Sequence, residues 1–393
     1  MHGAAVVVGV GESVYYKRGG APDSEFRLAC TAVRNAVEDA GLAMGDVDGF
    51  VSYMDRNEPV RLSAALGAGD LNFTAQTFGG GGNGAGAAVT IADAAVSAGY
   101  AGCVVVYRAL AQGQFGRYGQ AGRPRRSQGA AAFTAPYGLL SPAQICAMQT
   151  MRYMHDHGVT QEALAEVVLA AYAHAQHNPR AVRHGRPLTR EEYHSSRWIA
   201  EPFHLYDCCP ENDGAAAIVV TTPERARDLR KPPVAIVAGA HGLDRGDGRG
   251  AFNEPGFPTA YYRHVGRQLW ARAARHGITV DDVRVAQFYE NFTGPVLIAM
   301  AEMGFCAPEE LDGFVADGNI QWPDGRLPIN TSGGNLGEGY IHGFGNVVEA
   351  VRQVRGESTC QVAGAEVCLS VSGPGFAPGS AVLFGRPEVV GAA

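Results

Sequence analysis

Glu338, Tyr340 and His342 fall on alternate residues inside Asn330 to Gly345 (NTSGGNLGEGYIHGFG), a stretch holding six glycines. A carboxyl, a phenol and an imidazole so close together suit proton transfer and the stabilisation of developing negative charge. A phenol with a pKa of about 10 is a poor base at neutral pH, but a good hydrogen-bond donor and conditional acid. His342 is a candidate for the base that a phenol is not; a loop histidine bonded to backbone is the alternative. The stretch reads as a strand-to-helix loop whose backbone passes close to something, because it runs into the apolar-periodic segment Val347 to Val354. A second glycine run, Gly79 to Gly82, precedes Asn83 and the helix-like Ala87 to Ser97. Its amides can face negative charge at a helix start. There is no GxxxxGK[ST], and no GxGxxG in strand–helix register with an acidic follower, so nucleotide hydrolysis and dinucleotide binding find no support.

Helix-period and strand-like segments alternate throughout, which makes the chain α/β. They also repeat. AAVVVGVGES, the helix-like Leu28 to Ala40 and GLAMGDVDGFVSY (Gly41 to Tyr53) form one copy. VAIVAGAHG from Val234, the helix-like Arg267 to Arg275 and GITVDDVRVAQFY (Gly277 to Tyr289) form the second. The two GL/GI…DV…Y segments align without a gap. Gly79 to Gly86 followed by a helix and the strand Cys103 to Tyr107 has its counterpart in Gly333 to Gly345, a helix and the strand Glu366 to Val371. We therefore expect halves at 1–226 and 227–393, linked through Thr222 to Pro233, with a site where their loops meet. Residues 111–200 lie outside the repeat as an insertion with helices over Ala143 to His155 and Gln161 to Gln176.

The chain has 393 residues, 46% of them hydrophobic, so it can bury a large core. A net charge of -7 argues against general nucleic-acid binding. The exception is the basic loop Arg117 to Arg126, where Arg117, Arg123, Arg125 and Arg126 are candidates for phosphate contacts. No apolar run approaches the roughly 20 residues of a membrane helix, and Ala4 to Val10 reads as a buried strand rather than a signal peptide. Eight cysteines without a CxxC pair point to reduced thiols, a cytoplasmic setting and no metal held by this chain.

The glycine loop resembles the NPSGG…GHPLGATG loop of the thiolase superfamily, in its lipid-transfer-protein (sterol-carrier thiolase) branch. Four further places in register carry the resemblance. VVVGVGES resembles the opening strand, and Ala88 to Cys103 the helix after the nucleophile loop with its next strand. Pro210 to Val219 resembles the (P)xSDGAAAxV strand entry, and Tyr289-Glu290-Asn291-Phe292-Thr293 the HDCFT or NEAFA segment. The resemblance implies the thiolase fold: duplicated βαβαβαββ halves forming a five-layer αβαβα sandwich.

Thiolases form an acyl-enzyme on a cysteine, because a thiolate both attacks and leaves well. The matching position here is near Gly82, and Gly79 to Val89 contains no Cys, Ser or Thr. Tyr289 and Tyr340 replace the family's paired Asn/His and His. The pattern is similar to the steroid side-chain-cleaving aldolases of actinobacteria, a subgroup lacking the thiolase cysteines. That similarity implies retro-aldol cleavage of a 17-hydroxy steroid-CoA to a 17-ketosteroid and propionyl-CoA, without an acyl-enzyme. Tyr289, Tyr340 and His342 are then the catalytic candidates. Gly82, Asn83, Glu290, Gly339, Arg117 and Arg123 are the substrate-binding candidates, although Glu290, next to Tyr289 on a strand-like run, also suits structural hydrogen bonding. CoA enters only as part of the substrate. The similarity further implies a homodimer, and a zinc-binding OB-fold partner or hydratase domain completing a heterotetramer, with any zinc in the partner. The alternatives are a non-catalytic lipid or acyl-CoA carrier, and an acyltransferase with a displaced nucleophile such as Cys368.

Overall fold

A computed structural model describes residues 5–77, 81–117, 127–244, 259–373 and 378–391. Gly79, Gly80, Arg123, Arg125 and Arg126, which the sequence singled out, lie outside the described residues.

The first part of the chain runs β1 (Val6–Glu12), β2 (Tyr16–Lys17), α1 (Glu25–Ala40), β3 (Gly49–Tyr53), α2 (Pro59–Leu66), β4 (Phe73–Thr77), α3 (Ala85–Ser97) and β5 (Cys103–Ala111). The expected insertion supplies α4 (Pro142–His157), α5 (Gln161–His177), α6 (Arg190–Ser195) and the short ribbon β6 (Trp198–Ala200) and β7 (Phe203–His204). Then come β8 (Asn212–Thr221), α7 (Pro223–Ala226), β9 (Val234–Gly242), α8 (Ala260–Ala273) and β10 (Val285–Phe288). The chain continues with α9 (Thr293–Glu302), α10 (Leu311–Val315), α11 (Gly334–Gly337), α12 (Phe344–Arg355), β11 (Val367–Ser372) and β12 (Gly379–Gly385).

The repeat read from sequence has a local cause. α1 buries Leu28, Ala29, Ala32, Val33, Ala36, Val37 and Ala40, a helix-period stripe. Its N-terminus is capped by Ser24, whose hydroxyl accepts from the amide of Arg27, and it stops at Gly41 in the left-handed conformation. A 3-10 turn over Met44–Asp46 then feeds β3. The second copy stops at Gly277, also left-handed, turns over Val280–Asp282 and feeds β10.

The sheet order is β10-β11-β12-β9-β1-β8-β5-β3-β4, with β2 on β8. Outward from β9, β12 and β11 follow antiparallel and β10 is parallel to β11. Outward from β1, β8 and β5 follow antiparallel and β3 is parallel to β5. The two series meet where β1 and β9 pair through Val6 with Ala235 and Val7 with Val234. α1 covers β1, β8 and β5, and α8 covers β9 and β12, while α3 and α12 pack against strands of both series. That is the αβαβα layering of the thiolase fold. In the central layer Ala88, Val89, Ala92 and Val96 of α3 meet Phe344, Val347, Val348 and Val351 of α12 in one buried cluster. Truncating a buried phenylalanine such as Phe344 to Ala costs about 3–5 kcal/mol. This packing anchors the turns at the starts of the two helices, Gly82–Gly84 before α3 and Gly343 before α12.

Candidate active site

The starts of these two helices and the end of β10 bring Gly82, Tyr289, Tyr340 and His342 together. Tyr289 directly follows β10, and its amide donates to Val371 O at 3.0 Å. Tyr340 lies in the loop before α12, where its amide donates to Asn212 Oδ1 at 3.0 Å. The two phenol oxygens are 2.7 Å apart, a hydrogen bond in which either can donate. Tyr289 is only 3% exposed. Burial holds the Tyr289 phenol well above its ordinary range, and the neighbouring Tyr340 adds to this. Burial and then Cys209 do the same for Tyr340. Both phenols are therefore neutral at physiological pH.

The Tyr289 ring occupies the space of a missing side chain. A Cβ on Gly82 would lie 1.9 Å from Tyr289 Cε2, and one on Gly343 would lie 2.4 Å from its Cδ2. The ring is thus wedged between the turn that opens α3 and the turn that opens α12. Where the sequence places the thiolase nucleophile, the molecule has a phenol from the other half.

His342 adopts φ 48°, unusual for a residue with a side chain. Its carbonyl accepts from Tyr53 Oη at 2.8 Å, and its Nδ1 lies 2.9 Å from Arg108 Nη2. Burial, with the Arg108 and Arg56 charges, holds the imidazole pKa well below its usual value. Arg108 is itself paired with Asp55 at 3.0 Å, both side chains almost completely buried. Sequence reasoning missed Arg108, Asp55, Tyr53 and Asn212. A signal existed for Arg108, a lone cation in the apolar strand CVVVYRALA.

The remaining candidates divide. Glu290, expected also as a substrate contact, is fully buried beneath the loop. Its carboxylate accepts from Asn335 N at 2.7 Å and Asn346 Nδ2 at 3.1 Å, and burial pushes its pKa up to about 7. It braces the loop. Glu338 is likewise buried, bonded to Asn178 Nδ2 at 2.7 Å. A Cβ on Gly339 would lie 3.0 Å from Tyr15 Cγ, so this glycine permits close packing on Tyr15. Asn83 ties the α3 turn to the other half by donating to Pro378 O at 2.7 Å. Arg117 is exposed at the rim, 3.7 Å from Glu211. With Lys17, Arg18, Val182, Arg183, Glu211 and Asn212 it lines a cleft of about 340 Å³. That cleft shares Asn212 with the Tyr340 amide.

The eight cysteines form no disulfide among the described residues. Cys368 is 0% exposed within β11, and burial pushes its thiol up. It has neither the access nor the thiolate fraction of a nucleophile. Cys209, another residue the sequence left unassigned, is close enough to perturb both phenols, but burial holds its thiol far up as well. Among the described residues no group of three His, Cys, Asp or Glu side chains is arranged to hold a metal ion, and no helix is long and apolar enough to cross a membrane.

A family model described as "Thiolase C-terminal domain-like" matches residues 257–384. The 17-hydroxy-3-oxo-4-pregnene-20-carboxyl-CoA lyase of Mycobacterium tuberculosis is 42% identical over 98% of this chain and 100% of that protein. The steroid side-chain-cleaving aldolase of Thermomonospora curvata is 42% identical over 98% of each. A solved structure described as "Ltp2-ChsH2(DUF35) aldolase" superposes with TM-score 0.89 at 39% identity, covering 98% of both chains. An acetyl-CoA acetyltransferase from Syntrophomonas wolfei shares the fold alone, with TM-score 0.70 at 16% identity over 98% of this chain and all of that one. With nearly its whole length matched and a phenol pair standing where the thiolase nucleophile is absent, the chain belongs to the thiolase superfamily, in the family of the steroid side-chain-cleaving aldolases.

Proposed function

We propose that this protein is a carbon–carbon lyase that cleaves a 17-hydroxy steroid-CoA, a β-hydroxyacyl thioester, into a 17-ketosteroid and propionyl-CoA. The observation that carries the reading is the 2.7 Å contact between the Tyr289 and Tyr340 hydroxyls, formed in the space where a side chain on Gly82 would stand. Such a pair moves a proton without forming a lasting charge. The substrate hydroxyl gives its proton to one phenol oxygen as the bond between the α and β carbons breaks. The O–H electron pair becomes the ketone π bond, and the broken bond's pair becomes the thioester enolate. The receiving phenol passes its own proton across the contact, and the second phenol delivers one to the α carbon. Both tyrosines end as they began. Neutral phenols suit this role better than a buried phenolate would, because burial opposes a fixed charge. The turn amides at the start of α3 face the enolate oxygen. The basic cleft carrying Arg117 supports docking of the CoA phosphates, with Arg123 on the same loop.

The same reading takes 1–226 and 227–393 as the two halves, a homodimer as the core, and a zinc-binding OB-fold partner completing a heterotetramer in the cytoplasm. The superposing aldolase is described together with a second protein, which supports a partner for this chain. The test is to incubate the protein, with and without such a partner, with a 17-hydroxy steroid-CoA and to separate products chromatographically. Stoichiometric ketosteroid and propionyl-CoA are expected. Intact thioester retained by the protein in both preparations would refute cleavage and support a carrier.

A further inference from the structure

His342 is held by a chain of buried charges that decides what the imidazole can do. Asp55 follows Met54, whose left-handed backbone (φ 45°) turns the chain as it leaves β3. One carboxylate oxygen of Asp55 accepts from Arg108 Nη1 at 3.0 Å and from the Ala109 amide at 2.7 Å; the other accepts from the Asn57 amide at 2.8 Å. Arg108, anchored in this way inside β5, presents Nη2 to His342 Nδ1 at 2.9 Å. A guanidinium has only donors. Nδ1 must therefore be the acceptor, and in the neutral ring the proton sits on Nε2.

The opposite edge of the ring looks toward the reacting groups. A Cβ on Gly81 would be 3.9 Å from His342 Nε2, which places that nitrogen beside the turn opening α3. The Tyr340 ring stands edge-on to the imidazole with centroids 5.3 Å apart, and Tyr289 packs against the next residue, Gly343. We propose that Asp55 and Arg108 are positioning residues that lock His342 as an Nε2–H donor to the substrate thioester oxygen, paired with the turn amides of Gly82 to Gly84. His342 is then not the base that its place in the sequence suggests. The assignment rests on the cleavage reading for the identity of the oxygen, but not for the tautomer.

The donor's geometry predicts its pH behaviour. Among the described residues, the groups around His342 include Arg108 from β5, Arg56, Asp55 and Tyr53 from β3 and the segment after it, Tyr340 from its own loop and Tyr289 after β10. The two nearby cations and the burial all oppose a second proton. Asp55 reaches the ring through Arg108.

Two measurements test this. In the full chain labelled with 15N-histidine, with the His342 resonances identified by their loss in His342→Gln, the wild type should show an unprotonated Nδ1 and a protonated Nε2 from pH 5 to pH 8. In Arg108→Met, or in Asp55→Asn should the first fail to fold, His342 should lose its single tautomer and begin to titrate. Arg108→Lys, which keeps a cationic donor, should restore the lock in part. In turnover, His342→Gln keeps an N–H donor but no base, and is expected within about tenfold of wild type. His342→Ala should fall by about 10²–10³-fold, the loss typical of one oxyanion donor. A wild-type His342 that titrates near pH 6–7, or a His342→Gln variant as inactive as His342→Ala, would overturn the proposal. A locked tautomer in a protein that makes no ketosteroid would remove the cleavage reading and leave the relay standing.

Discussion

Tyr289 and Tyr340 reach the same point from segments 51 residues apart in sequence, and their hydroxyl oxygens meet at 2.7 Å. The proposed proton path through both hydroxyls implies shared consequences. Tyr289→Phe and Tyr340→Phe should each lower kcat by about 10²–10⁴-fold, the usual worth of a positioned acid or base. The double variant should be little worse than either single, because one break already interrupts the path. Unfolding should shift by only about 1 kcal/mol per lost hydrogen bond. Steady-state kinetics and denaturant titration on the three variants check this; multiplicative losses would mean independent roles.

Thiol chemistry should be dispensable. Cys209 perturbs both phenols and Cys368 lies in the fold's C-terminal half, yet burial raises both thiols far above neutral pH. Cys209→Ala and Cys368→Ala are expected to keep turnover within about threefold, an ordinary consequence of a small volume change, with no covalent acyl adduct in intact-protein mass spectra. A stable adduct lost in either variant would restore the acyltransferase.

Glu290 gives the protein a pH dependence of opposite sign to the usual carboxylate. Its folded pKa is raised by burial from 4.5 to about 7, so the folded state binds the proton more tightly than the unfolded chain. The carboxyl's contribution is thus most favourable on the acid side. It is lost as pH rises from about 4.5 to about 7. Glu290→Gln should remove this slope. The stability difference between variant and wild type should move in favour of the variant by up to about 3 kcal/mol across that window, read from urea titrations at several pH values. A flat difference would contradict the buried, raised carboxyl.

The proposed function assigns Arg117 to binding, not to the reaction. It is exposed and shares its nearby acidic partner, Glu211, with Arg18. Arg117→Glu should raise KM several-fold at low ionic strength, with kcat unchanged, and salt should shrink the effect because the Debye length is only about 10 Å at 0.1 M. A kcat effect without a KM effect would place Arg117 elsewhere in the mechanism.

The repeat was legible because helix stop, turn and strand recur in the same order at Gly41 and Gly277, and each depends on neighbours in sequence. Tyr289 and Tyr340 were legible through motif position, since each stands in a segment whose loop geometry the fold fixes. The Asp55–Arg108–His342 chain was not. Arg108 and His342 are 234 residues apart, and only sheet order and loop packing make them neighbours. Glu290 was ambiguous because its burial depends on the loop folding back over it, through Asn335 and Asn346. Arg117 could be placed, whereas Arg123 lies outside the described residues.

The interlock of Gly82 with Tyr289 also constrains the history open to this sequence. Restoring a cysteine at 82 while Tyr289 is present drives its Cβ into the ring. Removing Tyr289 first leaves a hole beside Gly82 and breaks the pair with Tyr340. One single step meets a steric clash, and the other leaves unfilled space and a phenol without its partner. A side chain at 82 and a tyrosine at 289 therefore exclude one another, so a change between a thiol and a phenol at this point of the fold requires both positions to move together.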